Sequence, residues 1–425
     1  MLCLRRIAGG TKDEMHKPIF FNTLEHQPRL RFACGVLAGV LLAGQSLLIR
    51  SLDAAEPPAS EPPAAPPVAA APAANQPVEE MAVDAALAKR INEVREIRQR
   101  PTPPDDAQRR LLEEYYSKYA LARWTLKENE GKLSDGTARS LRRELRNDLT
   151  YPRSGAHDAI NEIALSVLQA IAKGNYHAAA RYNAMLAIGE LNEIEPQGSD
   201  PGKPWNKTVP IMLAAVADPQ QADYVRVAAL IGILRHVRAK SVTDELRQNI
   251  TDACLRLVNA TQPPAGRTPE GHAWLKAQAA DILAELGRPG PKGEVLVALG
   301  KMAGDRSTLL LARRAAVRAI TKLDMAGVSP DNAAVAALGV AAFVHDACQM
   351  EEDAGLVGRR IKERIAIADE AAKRLQPVVG EGKGREYLAA VEPALKELAT
   401  ALAGSESNAL PVIRQQREKL QPLLN

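Results

Sequence analysis

From residue 80 onward apolar side chains return every three or four positions, and no stretch alternates convincingly with a period of two. That spacing keeps one stripe of each segment apolar and predicts amphipathic helices rather than strands. Helices are expected over 81–99, 105–128 and 137–149. The PTPP run at 101–104 separates the first two, because proline removes a backbone donor and restricts the residue before it. After Pro152 the pattern repeats. Four segments fall on one template: RYNAMLAIGEL from Arg181, RVAALIGILRH from Arg226, KAQAADILAEL from Lys276 and RRAAVRAITKL from Arg313. Each opens on a cation, has Ala three residues on and apolar residues at four and seven, with a further one at ten except where His236 stands. Each also follows another helical segment, at 158–173, 208–217, 243–259 and 293–303, so the unit is a helix hairpin. Further helices are predicted at 331–350, 355–376, 384–402 and 408–423, where the template blurs as it does at a capping end.

The template alanines allow neighbouring helices to approach to about 8 Å, while larger residues fill the space within each pair. A lone hairpin cannot bury both faces, so the hairpins must stack. The segment VPIMLAAVADPQQADYVRVAALIGIL (209–234) resembles the HEAT-repeat family. It has Pro near the first helix, Asp-Pro in the turn and Val-Arg before an Ala-rich second helix. The resemblance covers about 158–325 and implies an all-α fold, a right-handed α-solenoid of roughly six stacked antiparallel hairpins. It also implies that Asp218 and Arg226 occupy the positions of an inter-repeat ladder, although two extra residues lie between them here.

The first 78 residues read differently. FACGVLAGVLLAGQSLLI (32–49) is an apolar run behind Arg29 and Arg31, the pattern of an export signal. Met15 is a plausible start, and two fates remain open. Ala54 and Ala55 offer small residues for cleavage, whereas about 27 Å of helix is close to the thickness of a bilayer core and suits an anchor. Residues 54–78 (AAEPPASEPPAAPPVAAAPAANQPV) predict a disordered, polyproline-type linker reaching roughly 75 Å. The expected organisation is a signal peptide or membrane anchor at 1–53, the linker at 54–78, an N-terminal helical segment at 79–157, HEAT-like repeats at 158–325 and C-terminal helices at 326–425. The expected location is extracytoplasmic, in the periplasm of a bacterial-type cell.

Composition narrows the function. With 55 Lys and Arg against 51 Asp and Glu, the formal charge of +4 gives no general phosphate-binding surface, and nucleic acid is not an expected partner. Aromatics are only 4% of the chain, so the core must come from Ala, Leu, Val and Ile. No G-x-S-x-G, H-E-x-x-H or phosphate loop is present, and no catalytic, metal or cofactor residue is assigned. His345, Cys348 and Glu352 share a helix face, but one helix supplies at most three ligands, in an apolar setting. Cys254 and Cys348 are expected as buried free thiols too far apart to bridge.

The leading expectation is a non-catalytic scaffold binding a protein partner. Candidate contacts are Tyr182, Glu190, Arg235, Arg238, Arg314 and Arg318 on second helices, with Trp205 in a long loop. A protein-modifying factor of the HEAT-like lyase kind is one alternative. Another is an envelope lipid- or polymer-binding protein using the stripe Arg139, Arg142, Arg143 and Arg146, echoed more weakly by Arg359, Arg360, Lys362 and Arg364.

Overall fold

The computed structural model describes residues 78–134, 140–150, 155–404 and 406–425. The expectations for the leader, for the linker up to residue 77 and for Arg139 lie outside the described residues.

Among the described residues the fold is all-α, with fifteen α-helices. Helix α1 (Ile91–Gln99) is separated by the proline run from α2 (Asp106–Tyr115), which opens on a capping box between Asp105 and Gln108. The helix expected to continue to residue 128 instead ends its regular part at Tyr115. One wide turn of π-helix (Tyr116–Ala120) follows, then short 3-10 turns at Ala122–Thr125 and Lys127–Lys132. The aromatic run sits at this change: consecutive Tyr115 and Tyr116 are both buried, with rings edge to face at 5.3 Å, and Tyr116 donates its hydroxyl to Asp148 at 3.0 Å. Trp124 is buried just beyond. Helix α3 (Leu141–Leu149) then packs on α4.

From α4 onward consecutive helices pack as pairs: α4 (His157–Lys173) with α5 (Ala178–Glu190), α6 (Val209–Ala217) with α7 (Asp223–Arg238), and α8 (Asp244–Asn259) with α9 (Pro269–Leu286). The series continues with α10 (Glu294–Gly304) on α11 (Leu310–Lys322) and α12 (Pro330–Ala354) on α13 (Arg359–Leu375). The second helices α5, α7, α9, α11 and α13 lie beside one another in chain order, and the first helices α6, α8, α10 and α12 do the same. Helices α14 (Lys383–Ala403) and α15 (Glu406–Leu420) cover α12.

Glycines face each other at two crossings, Gly189 against Gly232 between α5 and α7 and Gly300 against Gly339 between α10 and α12, where a Cβ would meet the opposite backbone. Helix α12 is long and apolar enough to cross a membrane, yet most of it is buried in protein, including nearly all of VAALGVAAFV. Cys254 in α8 and Cys348 in α12 are free and buried, and burial pushes both thiols up to about 12. A short antiparallel ribbon interrupts the helices in the α5–α6 loop, pairing β1 (Asn192–Ile194) with β2 (Lys203–Pro204). It is too short for any alternation to have signalled it.

Candidate functional site

The cation opening each template segment turns back onto the end of its own pair's first helix. Arg181 Nε donates to Ala172 O at 3.3 Å, Arg226 Nε to Val216 O at 3.0 Å, Lys276 Nζ to Ala260 O at 2.9 Å and Arg313 Nε to Ala303 O at 2.7 Å. The last carbonyls of a helix have no internal partner and carry the negative end of its dipole, so a cation there satisfies both. In α13, Arg364 reaches Glu351 on the last turn of α12 at 3.3 Å. Burial lowers the pKa of Arg226, Lys276 and Arg364, because leaving water disfavours the charge that each contact holds in place.

The same side chains reach forward. Arg181 Nη2 donates to Gln221, Lys276 to Thr308 Oγ1 and Arg313 Nη1 to Asp346, each in the following pair. The expected Asp218–Arg226 ladder has a different wiring. Asp218 Oδ1 accepts from Gln220 N at 2.8 Å and closes the turn after α6. Arg226 pairs with Asp223 at 3.3 Å instead, and Arg267 from the next pair's loop holds the same carboxylate at 3.0 Å. The two extra residues carry Asp218 away from the arginine and put Asp223 in its place.

The expected partner contacts form a lateral row of ion pairs. Glu190 is approached by Arg142 at 3.4 Å and Arg146 at 3.8 Å, and Arg235 Nη1 donates to Gly189 O at 3.0 Å. Arg238 meets Glu285 at 3.5 Å, Lys322 meets Glu285 at 2.7 Å, Arg318 meets Asp281 at 2.5 Å and Arg314 meets Glu363 at 2.8 Å. Each contact joins neighbouring helices, so these charges lace the pairs together. Sequence reasoning missed this signal although the template held it. Nine residues after the cation stand Glu190, Arg235, Glu285 and Lys322, alternating in sign along the stack.

Arg142 and Arg146 therefore turn to Glu190, while Arg143 is exposed and its backbone N–H is capped by Ser140. Tyr182 packs half-buried against the core, and burial raises its hydroxyl pKa. Trp205 is likewise half-buried, with the Lys207 ammonium 5.1 Å from its ring.

The large apolar side chains exposed on this face are others. Trp274 in α9 is 44% exposed and Leu311 in α11 is 45% exposed. Both stand two residues before the template cation and seven before the ion-paired Asp281 and Arg318. Seven residues is close to two helical turns, so they share the ion pair's face and lie side by side. Tyr224 holds the same place in α7, half-buried with Arg181 stacked on its ring at 5.7 Å, and Ile231 stands seven residues on at 36% exposure. Leu309, at 40%, adjoins the row at the start of α11.

A second feature is polar. His157 Nε2 lies 3.2 Å from Glu195 Oε1, Asn161 donates to Asn192 O at 2.7 Å, and Asn192 donates to Glu195 Oε2 at 2.8 Å, pinning the ribbon to α4. The hydrogen bond to Glu195 raises the His157 pKa, opposed by burial and aided by Asp158. A raised histidine pKa adds stability in full below the unfolded value and loses it as pH rises through the folded one. Wild type should therefore melt about 2 °C above His157→Gln at pH 5, with the gap narrowing as pH rises beyond the ordinary histidine range, as read by circular dichroism. A gap that is constant with pH means the contact does not titrate.

His345, Cys348 and Glu352 serve different partners: Asp346 and Gln421, the apolar core, and Arg414 with Arg417. Among the described residues no three His, Cys, Asp or Glu groups are placed to hold a metal. A cleft of about 450 Å³ between α8, the end of α9, the start of α10 and the loops after α9 and α11 is lined by Arg247, Arg288, Leu283, Pro289, Glu294 and Val328, among others. Its Glu294 carboxylate is already occupied by Lys292 N at 2.9 Å. No protein-family model, curated protein or solved structure matches the chain.

Proposed function

We propose that the chain is a non-catalytic α-solenoid of the HEAT kind that binds a protein partner along its second helices, on the extracytoplasmic side of a bacterial-type membrane. The address rests on the apolar run at 32–49 and the Pro/Ala-rich segment behind it. The observation that carries the binding reading is the matched exposure of Trp274 and Leu311 on adjacent helices, where the neighbouring charges Arg314, Arg318 and Lys322 are paired laterally. Aligned apolar side chains ringed by satisfied polar groups are the anatomy of a binding hot spot. Pairing of Arg142 and Arg146 with Glu190 draws that stripe away from the competing polymer-binding reading.

Native mass spectrometry of the full chain, gently purified from its own cells, tests this. A protein at fixed stoichiometry is expected, lost in a Trp274→Ala/Leu311→Ala double variant that melts within about 2 °C of wild type. A lone chain carrying a small-molecule mass, or a partner indifferent to both substitutions, overturns the proposal.

A further inference from the structure

We infer that the partner presents an acidic segment with large apolar side chains, bound crosswise over α9, α11 and α13. This rests on the partner-binding reading above and adds the chemistry of the partner. Register carries the apolar row onto α13: Arg374, ten residues after Arg364, donates to the carbonyl of Leu323, ten residues after Arg313, at 3.1 Å. Lys362 is therefore the counterpart of Leu311, and Arg360 of Leu309. Arg359, Arg360 and Lys362 are exposed, and none has an ion-pair or side-chain hydrogen-bond partner among the described residues. They crowd the first turn of a helix that has no acidic residue there, where the helix dipole disfavours positive charge. Elsewhere on this face Arg238, Arg314, Arg318 and Lys322 meet carboxylates; here three cations have none among the described residues, beside two exposed leucines.

An acidic chain supplies what is missing. Second helices lie roughly 9 Å apart, and an extended chain advances about 3.3 Å per residue, so each helix is crossed in about three residues. The matching segment places one apolar residue on Trp274, a second about three residues on at Leu311 and carboxylates about three residues beyond, at Arg360 and Lys362. A polypeptide fits better than an anionic membrane. Trp274 and Leu311 share their face with the Arg318–Asp281 pair, which lipid would desolvate but a narrow chain leaves in water.

The test selects binders from a displayed random peptide pool against the immobilised full chain. It then measures the best peptide on wild type, on Arg359→Glu/Arg360→Glu/Lys362→Glu and on Trp274→Ala. Acids spaced about three residues from large apolar residues should be enriched, and the triple reversal should weaken binding about tenfold or more without lowering the melting temperature, since carboxylates suit the start of a helix. High salt should weaken wild-type binding in the same way. Selected peptides without acids, or an affinity untouched by the triple reversal, overturn the inference. If Trp274→Ala still abolishes binding in that case, the partner-binding reading survives; if neither variant matters, both fall. Flotation with phosphatidylglycerol vesicles that is lost in the triple variant, with no peptide selected, assigns the cations to a membrane surface and also overturns it.

Discussion

Gly339→Ala is expected to destabilise the chain by about 2–3 kcal/mol, while Gly304→Ala at the same crossing leaves stability unchanged or raises it by up to about 1 kcal/mol. The contrast comes from what a new methyl meets. At Gly339 it would stand 2.1 Å from the carbonyl oxygen of Gly300 and 2.9 Å from its carbonyl carbon, so α10 and α12 must separate along their broad contact. Backbone cannot swing aside as a side chain can, and the loosened crossing loses dispersion contacts on both helices. At Gly304 the nearest atom is Gly339 Cα at 3.4 Å, an ordinary contact, and alanine also removes backbone freedom from the unfolded chain. Urea unfolding of both variants reads the difference directly. Equal effects mean that helix propensity rather than the approach of α10 to α12 governs the crossing.

That crossing shows how far the sequence could be read. The template alanines foretold close helices, and the predicted pairs after residue 152 match α4 through α11, because amphipathic spacing is imposed by the same burial that pairs them. Gly300 and Gly339 belong to first helices, outside the template, so nothing in the spacing singled them out. The aromatic run at 115–124 was equally opaque: its periodicity reads as helix, and nothing in that spacing marks where the regular helix gives way to the wide turn and the short 3-10 turns. At the candidate site the template cations were visible but their targets were not, since the carbonyls they cap belong to another helix. The weight given to Trp205 followed loop length, yet its loop folds into a ribbon and the ring packs half-buried against the core, whereas Trp274 sits inside a helix and remains exposed.

The largest single loss is expected for Arg313→Met, about 3–5 kcal/mol, because it takes the donor from a buried carbonyl and from a partly buried carboxylate at once. Arg313 is 3% exposed, and its guanidinium serves the Ala303 carbonyl that ends α10 and the Asp346 carboxylate of α12. Methionine fills much the same volume but offers neither a donor nor a charge, so the carbonyl is orphaned and Asp346 keeps only Arg306 at 3.3 Å and His345. In wild type, burial pushes the Asp346 carboxyl up, but hydrogen bonds from His345 and Arg313 and the charges of Arg313 and Arg306 outweigh it and hold the group at about 2. A depressed carboxyl pKa contributes stability above the unfolded value of about 4, lost as pH falls through the folded one, here about 2 kcal/mol between pH 4 and pH 2. In the variant the Asp346 pKa rises toward its ordinary range, so that part of the acid sensitivity should shrink. Urea unfolding at pH 7 and at pH 3 should therefore give a smaller difference between wild type and Arg313→Met at the lower pH. A difference independent of pH would place the loss in the Ala303 cap alone, with Asp346 contributing nothing through its charge.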